Sequence, residues 1–325
     1  MAAEPVTPAA PPRDASAPAV EITVLIPAYN EAENLAPLLE KLTADLSALG
    51  RTYEILVVDD GSADDTLARL RDLRRTTPHL RAVVFRRNYG KSAALSVGFQ
   101  EARGRTVVTM DADLQDDSKE IGPLIAKIEE GFDLVSGWKQ KRKDPIVKTL
   151  PSKLFNAVTS SLTGVRLHDM NCGLKAYRAE VAKSVRLRGE QHRFIPVLAH
   201  WNGFRVGEIR TVHHPRLHGR TKFGSARFLN GFLDLLAVMF LTTSSRRPLH
   251  LFGRIGVFFA LAGAAITIGY SWRWILGEGL RLRPALLFGT VLVILGFQFV
   301  SMGFLGELIA STRVHEPDYA VRERL

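Results

Sequence analysis

Two stretches near the C-terminus constrain this chain more than anything else in it. Ile255–Trp272 runs 18 residues without a charge, and Pro284–Gly306 runs 23. As helices rising 1.5 Å per residue they would reach about 27 and 34 Å, enough to cross a hydrocarbon core of ~30 Å. Uncharged runs of this length are rare in soluble cores, so they predict two transmembrane helices. The linker Arg273–Arg283 is too short for a domain, which makes the pair a hairpin with both chain ends on one side. Arginines flank both ends of the hairpin, so the local positive-inside count is nearly tied. The absence of a secretory leader and the basic folded domain favour a cytoplasmic face for the bulk of the chain.

The rest of the chain reads differently. The first twenty residues hold twelve Ala or Pro and no apolar run, which predicts a disordered tail. From Glu21 apolar β-type runs alternate with helical patterns. Strands are expected at 22–26, 54–58, 82–85, 106–110 and 134–136. One helix is expected after Asn30 as its cap, a second after a Ser62/Asp65 capping box, and a third over 92–102. This alternation predicts an α/β, largely parallel, doubly wound sheet, whose ligands bind beyond the carboxyl ends of the strands. Residues 21–227 form that domain. Residues 228–248 are expected to be a helical segment lying in the membrane interface or packed in a core, 249–310 the membrane pair, and 311–325 a cytoplasmic tail.

Charge is partitioned along the chain. Residues 1–138 carry 15 Lys/Arg against 22 Asp/Glu, a net of −7, whereas residues 139–227 carry 19 against 5, a net of +14. The overall +10 and pI near 9.9 therefore describe neither part, and no nucleic-acid motif accompanies the basic segment. Its expected partners are anionic lipid headgroups and phosphates. The one cysteine, Cys172, cannot form an internal bridge.

Three polar clusters fall at predicted strand ends: Pro27–Glu31, Asp59/Asp60 and Asp111/Asp113. In Asp111-Ala112-Asp113-Leu114-Gln115 an extended backbone would project residues 111, 113 and 115 to one side. Two carboxylates and an amide are hard oxygen ligands suited to Mg²⁺ or Mn²⁺ with positions left for phosphate.

Four motifs in order, Pro27-Ala28-Tyr29-Asn30-Glu31, Val58-Asp59-Asp60-Gly61-Ser62, Asn88-Tyr89-Gly90-Lys91 and Asp111–Gln115, resemble the family 2, GT-A-fold glycosyltransferases. With Arg216-Leu217-His218-Gly219-Arg220-Thr221-Lys222-Phe223-Gly224 and the hairpin, the chain is similar to their polyprenyl-phosphate subfamily, over roughly residues 21–310. The resemblance implies a nucleotide-sugar site at Pro27, Tyr29, Glu31, Val58, Asp60, Lys91 and Asp111. It also implies a metal-diphosphate site at Asp111, Asp113 and Gln115, an active-site aspartate at Asp169, and phosphate-binding Arg216 and Lys222 that act in catalysis. Arg193 and Arg220 join these two as cations for an acceptor phosphate. The implied reaction is inverting, metal-dependent transfer of a hexose from UDP-glucose or GDP-mannose to polyprenyl phosphate. A phosphate monoester is already anionic and needs no strong general base.

Two rivals remain open. A processive polysaccharide synthase would carry Gln-x-x-Arg-Trp, where this chain has Gln191-His192-Arg193-Phe194. An inactive lipid-binding scaffold would not need Asp111, Asp113, Gln115 and Lys222 together. Some relatives carry an arginine where this chain has Trp138-Lys139, leaving Trp138 either to stack on a sugar or base or to cover the sheet edge. The histidines at 192, 213, 214 and 218 lack the spacing of a metal site. Gln298 and Glu307 are positioned to pair within the hairpin or between protomers of a homo-oligomer.

Overall fold

The computed structural model describes residues 20–139, 159–160, 163–187, 189, 191–214, 248–277, 284–312 and 321–324. Residues 1–19 of the expected N-terminal tail, residues 228–247 of the expected 228–248 segment and the Arg216–Lys222 loop lie outside these residues. Eight strands form one sheet: β1 (Ile22–Ala28), β2 (Tyr53–Asp59), β3 (Leu80–Phe85), β4 (Thr106–Thr109), β5 (Leu134–Lys139), β6 (Lys175–Arg178), β7 (Val206–Thr211) and β8 (Val321–Arg324). Their spatial order is β7-β5-β6-β4-β1-β2-β3-β8. The helices of the domain are α1 (Ala32–Ala48), α2 (Thr66–Thr76), α3 (Lys91–Glu101), α4 (Ile121–Glu129), α5 (Ala179–Ser184) and α6 (Ile195–Trp201).

The four central strands pair in parallel, β4-β1-β2-β3, and are covered on both faces. Parallel strands buried on both sides read as continuous apolar runs, and Ile22–Ile26 and Ile55–Val58 are such runs. The two layers divide the residues by strand alternation. Ile22, Val24 and Ile26 meet Leu35, Leu38, Leu39, Leu42 and Leu46 of α1 and the apolar face of α4. Leu25, Leu56 and Val58 meet α3, α5 and α6. Each fully buried leucine of α1 contributes about 1.5–3 kcal/mol by leaving water. A β-carbon at Gly98 would lie 2.1 Å from a methyl of Leu25, so glycine lets α3 lie close on β1.

The sheet is mixed rather than parallel throughout. β6 runs antiparallel between β4 and β5, and β7 then pairs parallel with β5. The short apolar run of β6 is interrupted by Lys175, which hid it among the loops of the basic segment. At the end of the sheet opposite the acidic clusters, Glu54 is buried and fully employed. Its carboxylate accepts from Thr23 Oγ1 (2.7 Å), Arg81 (2.9 Å) and the Arg103 N–H (2.8 Å), which makes it structural.

The two apolar segments are helices longer than expected, α7 (Pro248–Ile275) and α8 (Pro284–Thr312). They pack on each other through glycines. A β-carbon at Gly296 would sit 2.6 Å from the Ala260 nitrogen, and one at Gly263 would sit 2.5 Å from the Gly289 oxygen. Such close backbone approach is how helices associate where no hydrophobic effect drives them together. Only 11% and 17% of their most apolar windows are buried. Phe258, Leu261, Ile268, Phe288, Ile294 and Phe297 are all more than half exposed. A core helix would cover these residues, so the hairpin belongs in a bilayer.

An unforeseen element closes the sheet. β8 lies antiparallel on β3, with Val84 opposite Glu323. Glu323 pairs with Arg71 of α2 at 2.5 Å and Arg324 with Glu101 of α3 at 3.1 Å. The chain leaving the hairpin thus returns to protect the edge strand that would otherwise template pairing with another chain. Deleting residues 321–325 is expected to lower the unfolding midpoint of the purified protein by roughly 2–6 °C. The check is tryptophan fluorescence on heating; an unchanged midpoint would show that the tail contributes nothing.

Candidate active site

The site gathers where β1, β2, β3 and β4 end. Two of the expected helix caps turn out to join neighbouring loops. The Asn30 N–H donates to Ser62 Oγ (2.8 Å) while Asn30 Oδ1 accepts from the Ala63 N–H (2.8 Å). Asn30 adopts φ of 54° to do so, a conformation asparagine tolerates better than other residues. α1 instead begins after Glu31, whose N–H donates to Thr66 Oγ1 at 2.9 Å. The expected Ser62/Asp65 box is likewise replaced. Ser62 donates to Asp59 Oδ1 from both N–H (3.0 Å) and Oγ (2.5 Å), and Asp64 caps α2 through Thr66.

Asp60 makes the third connection. Its Oδ1 accepts from the Tyr89 N–H at 2.7 Å, its Oδ2 from the Gly90 N–H at 2.9 Å, and its own N–H donates to the Ala28 oxygen at 2.8 Å. Burial raises its carboxyl above the usual range, and the two loop amides oppose that rise. Gly61 has φ of 67°, and a β-carbon there would come within 2.3 Å of the Arg87 backbone, so glycine alone permits this approach. Three strand-end loops are therefore tied into one rim. Pro27, Tyr29 and Glu31 stand half-exposed on it, whereas the Val58 side chain is fully buried in the core below.

Asp111 lies at the centre. Its Oδ1 pairs with Lys91 Nζ, from the first turn of α3, at 2.5 Å. Its Oδ2 lies where a β-carbon on Gly173 would come within 2.5 Å. The Asp111–Gln115 segment is a turn rather than extended chain, because β4 stops at Thr109 and Leu114 adopts φ of 60°. Strand periodicity therefore does not align Asp111, Asp113 and Gln115. The Gln115 N–H donates to Asp113 Oδ1 at 3.3 Å, and Gln115 Nε2 to the His214 oxygen at 3.4 Å.

The turn before β6 forms the other wall. Asp169 is almost wholly buried, and its Oδ1 accepts from the Asn171 N–H at 3.2 Å, so it shapes the turn that carries Gly173. Thr109 Oγ1 donates to the Gly173 oxygen at 2.8 Å. A small pocket is lined by Lys91, Asp111, Asn171, Gly173, Lys175 and His192, among others. Lys175 and His192 were not among the residues expected from sequence. Lys175 is buried, donates to the Cys172 oxygen, and is pushed below the usual lysine range by burial. A lysine inside the run Leu174–Tyr177 was the available signal. His192 Nδ1 lies 3.0 Å from Ser92 Oγ, and it, rather than the buried Arg193, lines the pocket.

Trp138 and Lys139 have definite places. The indole stacks on His168 with centroids 4.0 Å apart, and Arg210 lies 5.3 Å from its centroid. The protein's own groups therefore occupy the ring, in keeping with a role covering the β5–β7 edge. Lys139 pairs with buried Asp116 at 2.7 Å. Arg216, Arg220 and Lys222 lie outside the described residues.

Among the described residues no three His, Cys, Asp or Glu side chains gather as a closed metal cage. The oxygen donors expected from the sequence are Asp111, Asp113 and the Gln115 amide, and the space beside Asp111 Oδ2 depends on glycine at 173. Few, hard and oxygen-only donors fit Mg²⁺ or Mn²⁺, which share their coordination with substrate phosphates. Burial pushes the Cys172 thiol up to about 12, so at pH 8 it is protonated. The native protein is expected to resist iodoacetamide at that pH and to react once unfolded, read by mass spectrometry. Asp60→Ala would leave the Tyr89 and Gly90 amides without their acceptor, and hydrogen exchange there should accelerate by at least tenfold, corresponding to about 1.4 kcal/mol.

Known proteins share the family and the fold of this chain. Residues 23–186 match the family described as Glycosyl transferase family 2. A dodecaprenyl-phosphate galacturonate synthase of Rhizobium johnstonii is 38% identical over 94% of this chain and 93% of its own length. An undecaprenyl-phosphate 4-deoxy-4-formamido-L-arabinose transferase of Klebsiella pneumoniae is 37% identical over 90% and 89%. Among solved structures, glucosyl-3-phosphoglycerate synthase of Mycobacterium tuberculosis, in complex with Mn²⁺, UDP-glucose and phosphoglyceric acid, superposes with a TM-score of 0.53 at 20% identity. That match covers 67% of this chain and 80% of the other and establishes a shared GT-A-type fold. The chain belongs to glycosyl transferase family 2 and is a glycosyltransferase.

Proposed function

We propose that this enzyme transfers a sugar from a nucleoside diphosphate sugar to a polyprenyl phosphate, with inversion and with a divalent cation. The observation that carries the proposal is the joining, in one chain, of the Lys91–Asp111 site to a hairpin whose apolar faces are exposed. A transferase acting on a soluble acceptor would have no use for that hairpin. Support comes from the two relatives above, whose names specify dodecaprenyl and undecaprenyl phosphate and whose similarity spans about nine-tenths of the chain.

An acceptor phosphate oxygen attacks the anomeric carbon as the bond from that carbon to the diphosphate breaks. The departing nucleoside diphosphate takes the electron pair. The attacking oxygen is already ionised at neutral pH, so no side chain must remove a proton. A single displacement inverts the anomeric centre.

Pro27, Tyr29 and Glu31 on the rim form the side for base and ribose. Val58 and Asp60 support it from below, Asp60 by fixing the Tyr89–Gly90 loop. Lys91 exchanges its pairing with Asp111 for the donor diphosphate. Asp111, Asp113 and Gln115 would hold Mg²⁺ or Mn²⁺, which when bound neutralises charge growing on the leaving diphosphate. Asp169 holds the Gly173 turn against Asp111. Arg216, Arg220 and Lys222 supply the cations that let two anions approach, whereas Arg193, expected among them from the sequence, is buried outside the pocket lining. The catalytic domain faces the cytoplasm, and the +14 segment faces anionic lipid.

The test incubates the full-length protein in lipid with undecaprenyl phosphate, Mn²⁺ and a panel of radiolabelled donors. UDP-glucose and GDP-mannose are the donors expected from sequence, and a UDP-uronic acid is added because of the Rhizobium relative. Labelled glycolipid with one donor establishes the reaction and its sugar; none with any donor refutes it. EDTA should abolish transfer and added Mn²⁺ or Mg²⁺ restore it. Asp113→Ala should lower kcat/KM by roughly 10²–10³-fold with the unfolding midpoint retained.

A further inference from the structure

The pocket beside Asp111 contains a cation for which the protein supplies no counter-ion. β6 runs antiparallel to β4, so its first residue, Lys175, lies beside Thr109, the last residue of β4. Lys175 is 3% exposed and lines the pocket. Its ammonium has three protons to place. Among the described residues it forms no ion pair, and its hydrogen-bond acceptor is a neutral group, the Cys172 oxygen. Asp169 and Asp111 act on it only at a distance, against the larger effect of burial. A buried ammonium is costly unless an opposite charge accompanies it.

The neighbouring walls offer donors as well. The His192 N–H donates to Ser92 Oγ at 3.0 Å, which turns the Ser92 hydroxyl proton toward His192 Nδ1, also 3.0 Å away. A neutral imidazole that accepts at Nδ1 carries its proton on Nε2. Lys91 is the third donor, and Asp111, which it already holds, is the one carboxylate among the described lining residues. Leu95 of α3 and Ile195 of α6 add apolar wall, and a low local dielectric strengthens a charge-assisted hydrogen bond.

Strand order says which part of a donor reaches this cation. The rim proposed for base and ribose belongs to the loops after β1, β2 and β3, Asp111 follows β4, and β6 comes next in the order β6-β4-β1-β2-β3. Neighbouring strands lie about 4.8 Å apart. A donor laid along that edge, with its base on the rim and its diphosphate at Lys91 and Asp111, brings its sugar to β6. The diphosphate has Lys91 and the divalent cation as partners. The negative charge that Lys175 lacks therefore belongs on the sugar.

We infer that Lys175, assisted by His192, determines sugar specificity by pairing with a carboxylate on the sugar, so that the donor is a nucleoside diphosphate hexuronate rather than a neutral hexose. The inference rests on the donor reading proposed above.

The experiment measures calorimetric binding of matched donors to the full-length protein in lipid nanodiscs, with Mn²⁺ and without acceptor. The pairs are UDP-glucuronate against UDP-glucose, UDP-galacturonate against UDP-galactose, and GDP-mannuronate against GDP-mannose. The members of a pair differ only in a carboxylate or a hydroxymethyl group. The uronate of at least one pair should bind tighter by about tenfold or more, and Lys175→Met should bring that pair within about twofold. His192→Phe should reduce the preference by about threefold. UDP and GDP lack the sugar, so each should bind wild type and Lys175→Met within about twofold, a result that collapse of the pocket would not give. Wild-type protein that binds the members of every pair equally, or prefers the neutral hexose, overturns the inference without any variant. A preference that survives in folded Lys175→Met overturns it too; if that variant does not fold, His192→Phe carries this arm. Glycolipid formed from a neutral hexose whose uronate binds no better overturns this inference alone and leaves the reaction standing. Wild-type protein that binds no donor, UDP or GDP overturns the donor reading, and the inference with it.

Discussion

The interaction on which the site most depends is the bidentate grip of the Asp60 carboxylate on two backbone amides. A parallel sheet delivers its loops to one edge but does not fix how they lie against each other. Asp60 does so by accepting from Tyr89 and Gly90 while its own N–H reaches Ala28. Its burial makes each bond matter, because a buried N–H without a partner costs about 1–3 kcal/mol. Gly61 permits the approach by having no β-carbon to strike Arg87. With this rim fixed, Lys91 begins α3 where its amine can meet Asp111.

Opposite charges meet in this fold by topology. The acidic loops come from the first 138 residues and the cations opposite them mostly from the next 89. β6 inserts antiparallel between β4 and β5, which carries Lys175 and the Gly173 turn against Asp111. β7 then pairs with β5 and returns the chain, through His213 and His214, to the loop carrying Gln115 and Asp116. A chain segment that looks uniformly basic is thus divided between buried partners such as Lys139 and Lys175 and the residues 216–222 proposed to bind phosphate. The same topology brings the tail after the hairpin back to β3, so the membrane helices are joined to the domain from both ends.

Much of this was legible in the sequence where a local pattern carried the information. The buried parallel strands show as continuous apolar runs, and the hairpin shows as 18 and 23 residues without charge. The strand-end acids show as paired carboxylates at the edge where a parallel sheet collects its loops, although Asp59 and Asp60 serve there to hold those loops. The failures have a common origin. Asn30 and Ser62 have the residue types of helix caps, yet each uses its side chain to reach the other's loop, since tertiary proximity offered a better partner than the local helix end. The Asp-x-Asp-x-Gln spacing suggested an extended strand, but the positive φ of Leu114 makes a turn of it.

The sequence by itself determined the class of fold, the edge at which the acidic loops gather and the attachment to a bilayer, because each follows from periodicity, residue type or unbroken length. Only the tertiary structure decided which acids are engaged in holding loops, which lysines are buried as partners, and which residues face the pocket. Asp59, Asp60, Asp111 and Asp116 are the same residue with similar neighbours in sequence. One is held by Ser62, one by two amides, one by Lys91, and one by Lys139 beside His213. Those partners lie as few as 3 and as many as 97 residues away, and distance in space, with the dielectric it creates, sets what each carboxylate does.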